Sequence, residues 1–404
     1  MKRIAEGLLC LALALLCAQA GAQGTDAPLS IAAGTDLHVN PAYRTTGIVN
    51  PLEPYHLQIV DAFLWDAARS GTDVLLLLGD ITNQGKLAQH EALLEKLRAA
   101  QAAGMTVYVL PGNHDIGEVD PARFAQLYAD FGYGGALSRD AASLSYTVVL
   151  ENGLELLMLD TNGYSGHRDR AFLTEETLDW MRSQLEQAQA AGRQVIAAGH
   201  YPLLTQNSTP FEEKERAASL LEEYGVRLYL CGHLHKRCVA VQGTLTELVV
   251  DQTISYPCAY AALSVEGGDA IRYRPHEIAV SEWARKSGLD DANLLAFDAY
   301  QSRLELERCR GVVARLKGEK EMPAQEQRQA EDFFWQLSDA RAHGTLSRYA
   351  DALRAHPGYD VFVRLGEGTI YSRWTPSVLA DAVPYTTGFA LTGGGIQATE
   401  DGGM

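Results

Sequence analysis

This chain of 404 residues has little positive charge, few cysteines and no long apolar run after its first twenty residues. Lys and Arg total 34 against 51 Asp and Glu, and the formal net charge is −17. Proteins that bind long nucleic acids non-specifically do so through cationic contacts that release counterions. We therefore expect no long nucleic acid as the main substrate. Small nucleotides are not excluded, because bound cations can neutralise their negative charge.

The longest apolar run lies at the start of the chain, from Leu8 to Leu16. It follows a basic beginning, Met1 to Arg3, and precedes small residues at Ala18 to Ala20. This order is typical of a secretory signal peptide, and the run is too short to span a bilayer. We expect residues 1–20 to be removed and the protein to be secreted or periplasmic. Cys17 suggests a lipoprotein anchor as the alternative, but Leu16 stands where that signal carries a small residue.

Five short polar clusters follow one another along the chain, and none of them alone would distinguish this sequence from many others. Each contains a residue type that can bind a metal ion or transfer a proton. The clusters are T-D-L-H at Thr35–His38, G-D-I-T-N at Gly79–Asn83, G-N-H-D at Gly112–Asp115, G-H-Y-P at Gly199–Pro202 and G-H-L-H at Gly232–His235. Their number and order make chance an unlikely source.

Four of the clusters come directly after short apolar runs that are typical of buried strands. These runs are Leu75–Leu78, Val107–Leu110, Val195–Ala198 and Val226–Leu230. Ligands of such sheets collect at the carboxyl ends of the strands, so the polar side chains are expected to meet there. The glycine before each candidate ligand is expected to allow a sharp backbone turn.

In these five clusters, over roughly residues 30 to 275, the chain resembles the calcineurin-type metallophosphoesterases. The resemblance implies an α/β fold, a four-layer α-β-β-α sandwich of two mixed sheets. It also implies two divalent metal ions bridged by the Asp80 carboxylate. One ion would be held by Asp36, His38, Asp80 and His235, and the other by Asp80, Asn113, His200 and His233. Imidazole, carboxylate and amide ligands without thiolate suit Mn, Fe, Co or Zn, and the sequence does not choose among these metals.

The same resemblance implies phosphoester hydrolysis, with a hydroxide shared by the two ions as the nucleophile. His114, which is not a metal ligand in the family, would protonate or hydrogen-bond the leaving oxygen. Asn83 would orient His114 without lending it charge. Asp115 would orient the local backbone, and the alternative is that it forms an Asx turn or a helix cap.

The second cluster departs from the G-D-x-x-D-R pattern of the protein phosphatases in this superfamily, because it has Asn83 and Gln84. An Asp would raise the pKa of the catalytic imidazole, and an Arg would bind a dianionic phosphate through two parallel hydrogen bonds. We therefore expect a preference for phosphodiesters, although an Arg from elsewhere could replace the missing one. The candidates are Arg44, Arg168 and Arg170. The purple acid phosphatases, which have D-x-G in the first cluster and a Tyr ligand in the second, resemble this chain less.

The remaining cysteines, Cys231, Cys238, Cys258 and Cys309, permit three full disulfide pairings that sequence does not resolve. A bond between Cys231 and Cys238 could hold the last cluster in place. The alternative is that both are small, buried, apolar residues.

Between the clusters the spacing predicts alternating helices and strands. Helices are predicted over Tyr55–Arg69, Lys86–Ala103, Thr174–Ala191 and Phe211–Tyr224, and a hairpin around Asn152-Gly153. We expect a catalytic domain over residues 21–276 and a smaller, mainly helical domain over 277–404, with a loose tail after Thr387. This arrangement resembles that of secreted bacterial cyclic-nucleotide phosphodiesterases. Trp283 or Trp335 could then stack on a base, or these rings could simply fill the helical core.

Taken together, these features predict a secreted, metal-dependent phosphodiesterase that acts on small organic diesters such as cyclic nucleotides and that has no transmembrane segment. A phosphomonoesterase or nucleotidase of the same fold is the first alternative. The second is a catalytically idle binding module. The oligomeric state cannot be predicted from the sequence.

Overall fold

The computed structural model describes residues 28–42, 52–162, 170–266, 270–380 and 382–399. Its strands are β1 Leu29–Gly34, β2 Val74–Leu78, β3 Thr106–Leu110, β4 Ser138–Arg139, β5 Tyr146–Val149, β6 Glu155–Met158, β7 Val195–Ala198, β8 Leu228–Cys231, β9 Cys238–Gln242, β10 Leu245–Val249, β11 Ala259–Glu266, β12 Ala270–Glu277, β13 Phe389–Thr392 and β14 Gly395–Ala398.

The described α-helices are α1 His56–Arg69, α2 Leu87–Ala102, α3 Pro121–Leu127, α4 Glu175–Ala190, α5 Lys214–Glu223, α6 Val280–Lys286, α7 Ala292–Leu295, α8 Phe297–Lys317, α9 Ala324–Ala342, α10 Leu346–Arg354, α11 Tyr359–Leu365 and α12 Tyr371–Ala380. Short 3₁₀ helices occupy Glu53–Tyr55, Ala129–Phe131 and Pro384–Thr387. Among these helices none is long and apolar enough to cross a membrane.

Two sheets of seven strands each form the centre of the molecule. The first has the order β14-β13-β12-β11-β1-β2-β3, in which β1, β2 and β3 are parallel and the other neighbours antiparallel. The second has the order β4-β5-β6-β7-β8-β10-β9, in which β6, β7, β8 and β10 are parallel. Both sheets are therefore mixed, which confirms the predicted fold class.

The alternation of side chains along the second sheet explains why helices cover its outer face. Leu228 and Leu230 of β8 belong to the apolar core shared with the first sheet, whereas Tyr229 and Cys231 belong to a core shared with α4 and α5. Successive strand residues point to opposite faces, so a strand that is apolar throughout must be covered on both sides. The predicted helices at α1, α2, α4 and α5 and the hairpin of β5 and β6 are confirmed.

The C-terminal region after residue 277 is mainly helical, and its helices contribute to two different cores. Trp283 and Phe297 pack into the core of the two sheets, and a separate helical core begins only near Cys309. Trp283 is 6% exposed and Trp335 packs against the helical core, so both rings serve packing.

The expectation of a loose tail after Thr387 is wrong, because this segment forms β13 and β14 and adds them to the first sheet. Leu391 pairs with Ile271 of β12, and the Arg227 guanidinium of the second sheet donates to the Thr392 carbonyl. Phe389, Ala390 and Leu391 are all buried, which is the pattern of a short strand covered on both faces. The glycines of the tail supply its turn.

The four described cysteines are unpaired thiols. Cys231 is buried in the second sheet, and its Sγ lies 3.9 Å from the Leu248 carbonyl oxygen. The disulfide considered between Cys231 and Cys238 is therefore not formed in this structure. Burial raises the pKa of the Cys231 thiol well above its ordinary value, so the structure favours its uncharged form.

Candidate metal centre

The polar clusters meet at the carboxyl ends of five parallel strands. Asp36 and His38 follow β1, Asp80 follows β2 and Asn113 follows β3, while His200 follows β7 and the last two histidines follow β8. The loops are joined by backbone hydrogen bonds: the Asp36 N–H donates to the Gly79 carbonyl at 3.0 Å and the His38 N–H to the Asp80 carbonyl at 2.9 Å. The two sheets therefore contribute to one shared site.

The first group of candidate ligands comprises Asp36, His38, Asp80 and His235, whose ligand atoms lie within 4.8 Å of one another. Nε2 of His38 is 3.3 Å from Nε2 of His235, which in turn is 3.2 Å from Oδ1 of Asp36. Two atoms each about 2.1 Å from one ion at a near-tetrahedral angle would be separated by about 3.4 Å. The spacing therefore fits a common cation.

The second group comprises Asp80, Asn113, His200 and His233. Nε2 of His200 lies 3.4 Å from Oδ2 of Asp80 and 3.2 Å from Oδ1 of Asn113. Its other ring nitrogen contacts the Leu78 carbonyl at 2.9 Å. The His233 ring centroid is 5.3 Å from that of His200. Asp80 therefore lies beside residues of both predicted groups.

Five candidate ligands have a backbone conformation that most residues avoid. Positive φ angles occur at Asp36 (53°), His38 (44°), Asp80 (48°), His233 (67°) and His235 (52°), and among described non-glycine residues only Cys258 shares this feature. Such conformations cost free energy and cluster at functional sites. The fold therefore holds these side chains in place against a local conformational cost.

The expectation that a glycine before each ligand makes a sharp turn is right only at Gly79, which has φ of 85°. The others are needed because there is no room for a side chain. A Cβ on Gly112 would lie 2.2 Å from the Asp80 nitrogen, and one on Gly232 would lie 2.0 Å from Oγ1 of Thr35. These glycines let neighbouring loops approach closely enough to bring the ligands together.

The protonation states also suit metal binding, which needs ionised carboxylates and neutral imidazoles. Burial opposes ionisation of Asp36, but His235 lowers the pKa of Asp36 to about 2. Burial lowers the pKa of His38 and of His233 to about 4. His200 and His235 differ. Burial lowers the pKa of both, but Asp80 raises that of His200 to about 9 and Asp36 raises that of His235 above its ordinary value. Cation binding at these two imidazoles would therefore release protons.

Two buried polar atoms of the first group lack a well-formed hydrogen bond: Nδ1 of His38 has no partner, and Oδ1 of Asp36 has only ion-pair contacts, the closest with Nε2 of His235 at 3.2 Å. A buried polar atom without a partner is costly and calls for an explanation such as an ion. For Asp36, together with the ligand spacing and the protonation states, a cation is a suitable partner. The residues present therefore fit a divalent metal ion.

His114 lies at the edge of the first group, with its ring centroid 4.8 Å from that of His38. Its backbone N–H donates to Oδ1 of Asp80 at 2.7 Å, and its Nδ1 lies 2.7 Å from the carbonyl oxygen of Asn83. Asn83 thus contacts His114 through its backbone, and the orienting side chain that the sequence suggested is not what forms this bond. Residue 83 can supply this bond whatever its side chain.

Asp115 is buried and accepts four hydrogen bonds. Two come from Thr82, through its backbone N–H at 2.7 Å and its hydroxyl at 2.8 Å, and the others come from the N–H groups of Ile81 and Gly112. Asp115 therefore ties the second cluster to the third. This arrangement corresponds to the predicted orientation of the local backbone, and no helix begins at Asp115.

Sequence reasoning missed several residues that support the site. The Thr209 hydroxyl contacts Nε2 of His233, the Thr161 hydroxyl accepts from His200 N–H, and buried Glu247 accepts from three N–H groups of the loop that follows His200. None lies in a motif, so no local signal could have found them. Arg44 and Arg168 lie outside the described residues, and Arg170 forms an exposed ion pair with Glu212 at 3.8 Å.

The family model of the calcineurin-like phosphoesterases matches residues 29–237, which is just over half of the chain. The chain belongs to this family. The match includes every candidate ligand, and together with the Asp and His cluster it indicates a divalent metal centre.

The chain is similar to several proteins whose names state different phosphoesterase activities. It is 25% identical over 171 residues to a "Probable cyclic nucleotide phosphodiesterase" of Vesicomyosocius okutanii, covering 41% of this chain and 63% of the relative. It is 27% identical to human tartrate-resistant acid phosphatase type 5 over 213 residues, covering 46% and 63%. It is 28% identical to a Nostoc 3',5'-cyclic-nucleotide phosphodiesterase over 217 residues, covering 52% and 72%.

The chain thus spans somewhat less than two thirds of the length of the first two relatives. Among solved structures, a dimetal phosphatase of Danio rerio superposes with a TM-score of 0.49 at 13% identity, covering 63% of this chain and 98% of that one.

Proposed function

We propose that this protein is a metal-dependent phosphodiesterase that hydrolyses small organic diesters such as cyclic nucleotides. The observation that carries the proposal is the gathering of Asp36, His38, Asp80 and His235 within 4.8 Å, with the His114 ring beside them. Divalent ions bound there would lower the pKa of a water molecule and neutralise charge on phosphoryl oxygens.

We assign the ligands of two such ions on the basis of the family pattern and the contacts. Asp36, His38, Asp80 and His235 would hold the first ion. Asp80, Asn113, His200 and His233 would hold the second, so that Asp80 serves both. The donor set contains no sulfur and suits Mn, Fe, Zn or Co.

His114 is assigned as the residue that faces the leaving oxygen. A carbonyl oxygen only accepts, so the bond to Asn83 places a hydrogen on Nδ1 of His114. In the imidazolium form Nε2 also carries a hydrogen, and it is the nitrogen that would donate a proton to the departing alkoxide, leaving a neutral ring with its hydrogen on Nδ1. This geometry needs no negative charge at residue 83, consistent with the Asn found there. Asp115 contributes by fixing the loop that carries His114.

The preference for diesters over monoesters rests on residue 84. The protein phosphatase pattern has an Arg there that binds a dianionic terminal phosphate, and this chain has Gln84. Two relatives are named cyclic nucleotide phosphodiesterases, which supports the diester proposal. A third is named an acid phosphatase, so a phosphomonoesterase or nucleotidase is the alternative function.

The test is a substrate comparison with the purified chain reconstituted with Mn²⁺. Turnover of cyclic nucleotides and of an aryl phosphodiester should exceed turnover of the matching aryl monophosphate. Equal or faster monoester hydrolysis would establish the alternative.

Replacing His114 with Ala separates an enzyme from an idle binding module. Loss of a general acid costs about 10² to 10⁴ in rate, so kcat should fall by that factor while metal content is unchanged. A protein with no activity before or after the substitution would be the binding module.

Secretion to the periplasm or beyond belongs to the same proposal. Its basis is the N-terminal sequence, which lies outside the described residues. Sequencing the N-terminus of the mature protein should show loss of the first twenty residues, and an intact Met1 in the isolated protein would contradict it.

A further inference from the structure

The loop that follows His200 is held by one buried carboxylate. Glu247 lies in β10 with no exposed surface, and its two oxygens accept hydrogen bonds from three successive backbone N–H groups. Leu203 and Leu204 donate to Oε2, the latter at 2.8 Å, and Thr205 donates to Oε1 at 2.7 Å. A charged acceptor makes stronger hydrogen bonds than a neutral one, so the loop backbone is fixed at this point.

The same loop reaches the second group of candidate ligands at its far end. The Thr209 hydroxyl lies 3.0 Å from Nε2 of His233. The Thr209 backbone is itself held, because its N–H donates to Oδ1 of Asn207 at 2.7 Å. The loop therefore connects β10 to the imidazole of His233.

Two contacts fix the orientation of the His233 ring. Tyr201, which is completely buried, packs against it with a centroid distance of 4.2 Å, and Thr209 engages Nε2. In the tautomer whose Nε2–H donates to the Thr209 hydroxyl, Nδ1 keeps its lone pair for a cation. Histidines that bind metals commonly use their second nitrogen in this way, and the partner sets the tautomer and the ring angle.

We propose that Thr209 and Glu247 are positioning residues for His233, Thr209 by holding the imidazole and Glu247 by holding the loop that carries Thr209. The inference rests on the proposed function in one respect, namely that His233 binds the second ion. It goes further by assigning roles to two residues outside every sequence motif. Neither residue would contact the substrate, so neither is a catalytic residue.

The expected effect is on metal affinity. Removing an outer partner of a metal-binding histidine typically weakens binding by about 10-fold to 100-fold. Thr209→Val removes the hydroxyl and keeps the shape of the side chain. Thr209→Ser keeps the hydroxyl and should restore most of the affinity.

The chain offers a matched control in the same loop. The Thr205 hydroxyl is buried and makes no hydrogen bond, so Thr205→Val removes a hydroxyl that has no partner. Titration of metal-free protein with Mn²⁺, followed by calorimetry, should show two binding events in the wild type and in Thr205→Val. In Thr209→Val one of the two dissociation constants should rise by about 10-fold to 100-fold.

Glu247→Gln tests the other end of the loop. The amide retains one oxygen but places an NH₂ group toward a backbone N–H, so at least one of the three hydrogen bonds is lost. Because Glu247 acts through Thr209, the variant that combines Glu247→Gln with Thr209→Val should bind the affected Mn²⁺ ion about as tightly as Thr209→Val alone. If Glu247→Gln does not fold, as judged by circular dichroism, the Thr209 series decides alone.

The outcomes separate this inference from the proposed function. Two Mn²⁺ equivalents in the wild type with unchanged affinity in Thr209→Val would overturn the inference and leave the phosphodiesterase proposal standing. A single equivalent in the wild type would remove the ligand role of His233 and overturn both. Equal weakening by Thr205→Val would also overturn the inference, because the effect would then be general to the loop.

Discussion

The two groups of candidate ligands meet at Asp80 but are supported in different ways. In the first group all four residues have positive φ, Nδ1 of His38 has no hydrogen-bond partner, and Oδ1 of Asp36 has only ion-pair contacts, the closest with His235. In the second group His200 is fully buried and hydrogen-bonded at both ring nitrogens. The first group is thus arranged for a partner that the protein does not supply, whereas much of the second is held by the protein itself.

This difference has a physical consequence. A cluster with unsatisfied buried atoms and two nearby carboxylates is costly without a cation, because like charges repel and buried polar atoms need partners. A cluster whose polar atoms are already paired keeps its geometry in the absence of an ion. We therefore expect the ion to organise the first group and to enter an arrangement that already exists in the second.

The largest effect should come from Asp80, the residue common to both groups. Asp80→Asn removes the charge that would bridge the ions, and the ions provide several kcal/mol of transition-state stabilisation, so activity should fall by about 10³ or more. Metal content measured by mass spectrometry should fall as well. The control is Asp120→Asn at the start of α3, because Asn caps a helix as well as Asp does. Retained metal and activity in Asp80→Asn would contradict the shared role.

Metal removal should have the next largest effect. An ion that binds only the folded protein stabilises it by about 2.7 kcal/mol when present at 100 times its dissociation constant. Chelation should therefore lower the melting temperature by several degrees, and added Mn²⁺ should restore it. In Asp36→Asn the shift on chelation should be smaller, because the metal-free first group then lacks one of its two carboxylates. An equal shift in both proteins would contradict the contrast between the groups.

Much of this contrast between the two groups could not be predicted from the sequence. The clusters and the strands before them predicted which residues would meet, because buried parallel strands place their carboxyl ends together. The positive φ angles and the close approach of Gly112 to Asp80 depend on how loops from different strands pack, which no local pattern encodes. Thr209 and Glu247 were missed for the same reason.

The tail was mispredicted because its many glycines outweighed the short apolar run from Phe389 to Leu391. β13 lies between β12 and β14 and has only four residues, so its signal in the sequence is short. The packing of Trp283 and Phe297 on the sheets was not predictable either, because they satisfy a helical pattern whether they pack on other helices or on a sheet. In both cases the structure depends on the element against which the segment packs, and the local sequence does not encode that element.

A third prediction compares one histidine from each group in the metal-free protein. His200→Ala removes a fully buried ring and its bond to the Leu78 carbonyl, so it should lower the free energy of unfolding by about 2 kcal/mol or more. His38→Ala removes a ring whose Nδ1 has no partner and should cost less. Urea unfolding with a chelator present measures both. A greater loss in His38→Ala would reverse the comparison.

The smallest predicted effect concerns His90, which supports the loop that carries His114. Acidic pH should weaken this support. Buried His90 contacts the Tyr128 hydroxyl at 2.9 Å and the Asp115 carbonyl oxygen at 3.0 Å, and burial lowers the pKa of His90 to about 4. The unfolded chain takes up a proton at His90 near pH 6.5, but the folded protein resists it until about pH 4. The stability that His90 contributes is therefore present above pH 6.5 and lost as the pH falls toward 4.

Between pH 6.5 and 4 the free energy of unfolding should change less steeply with pH in His90→Gln than in the wild type. The difference between the two slopes should correspond to at most one proton taken up on unfolding. His356→Gln, at a half-buried histidine of the helical region, is the control. Equal slopes in the wild type and His90→Gln would show that the support under His114 does not depend on a neutral imidazole, and the contrast would then rest on His200 and its neighbours alone.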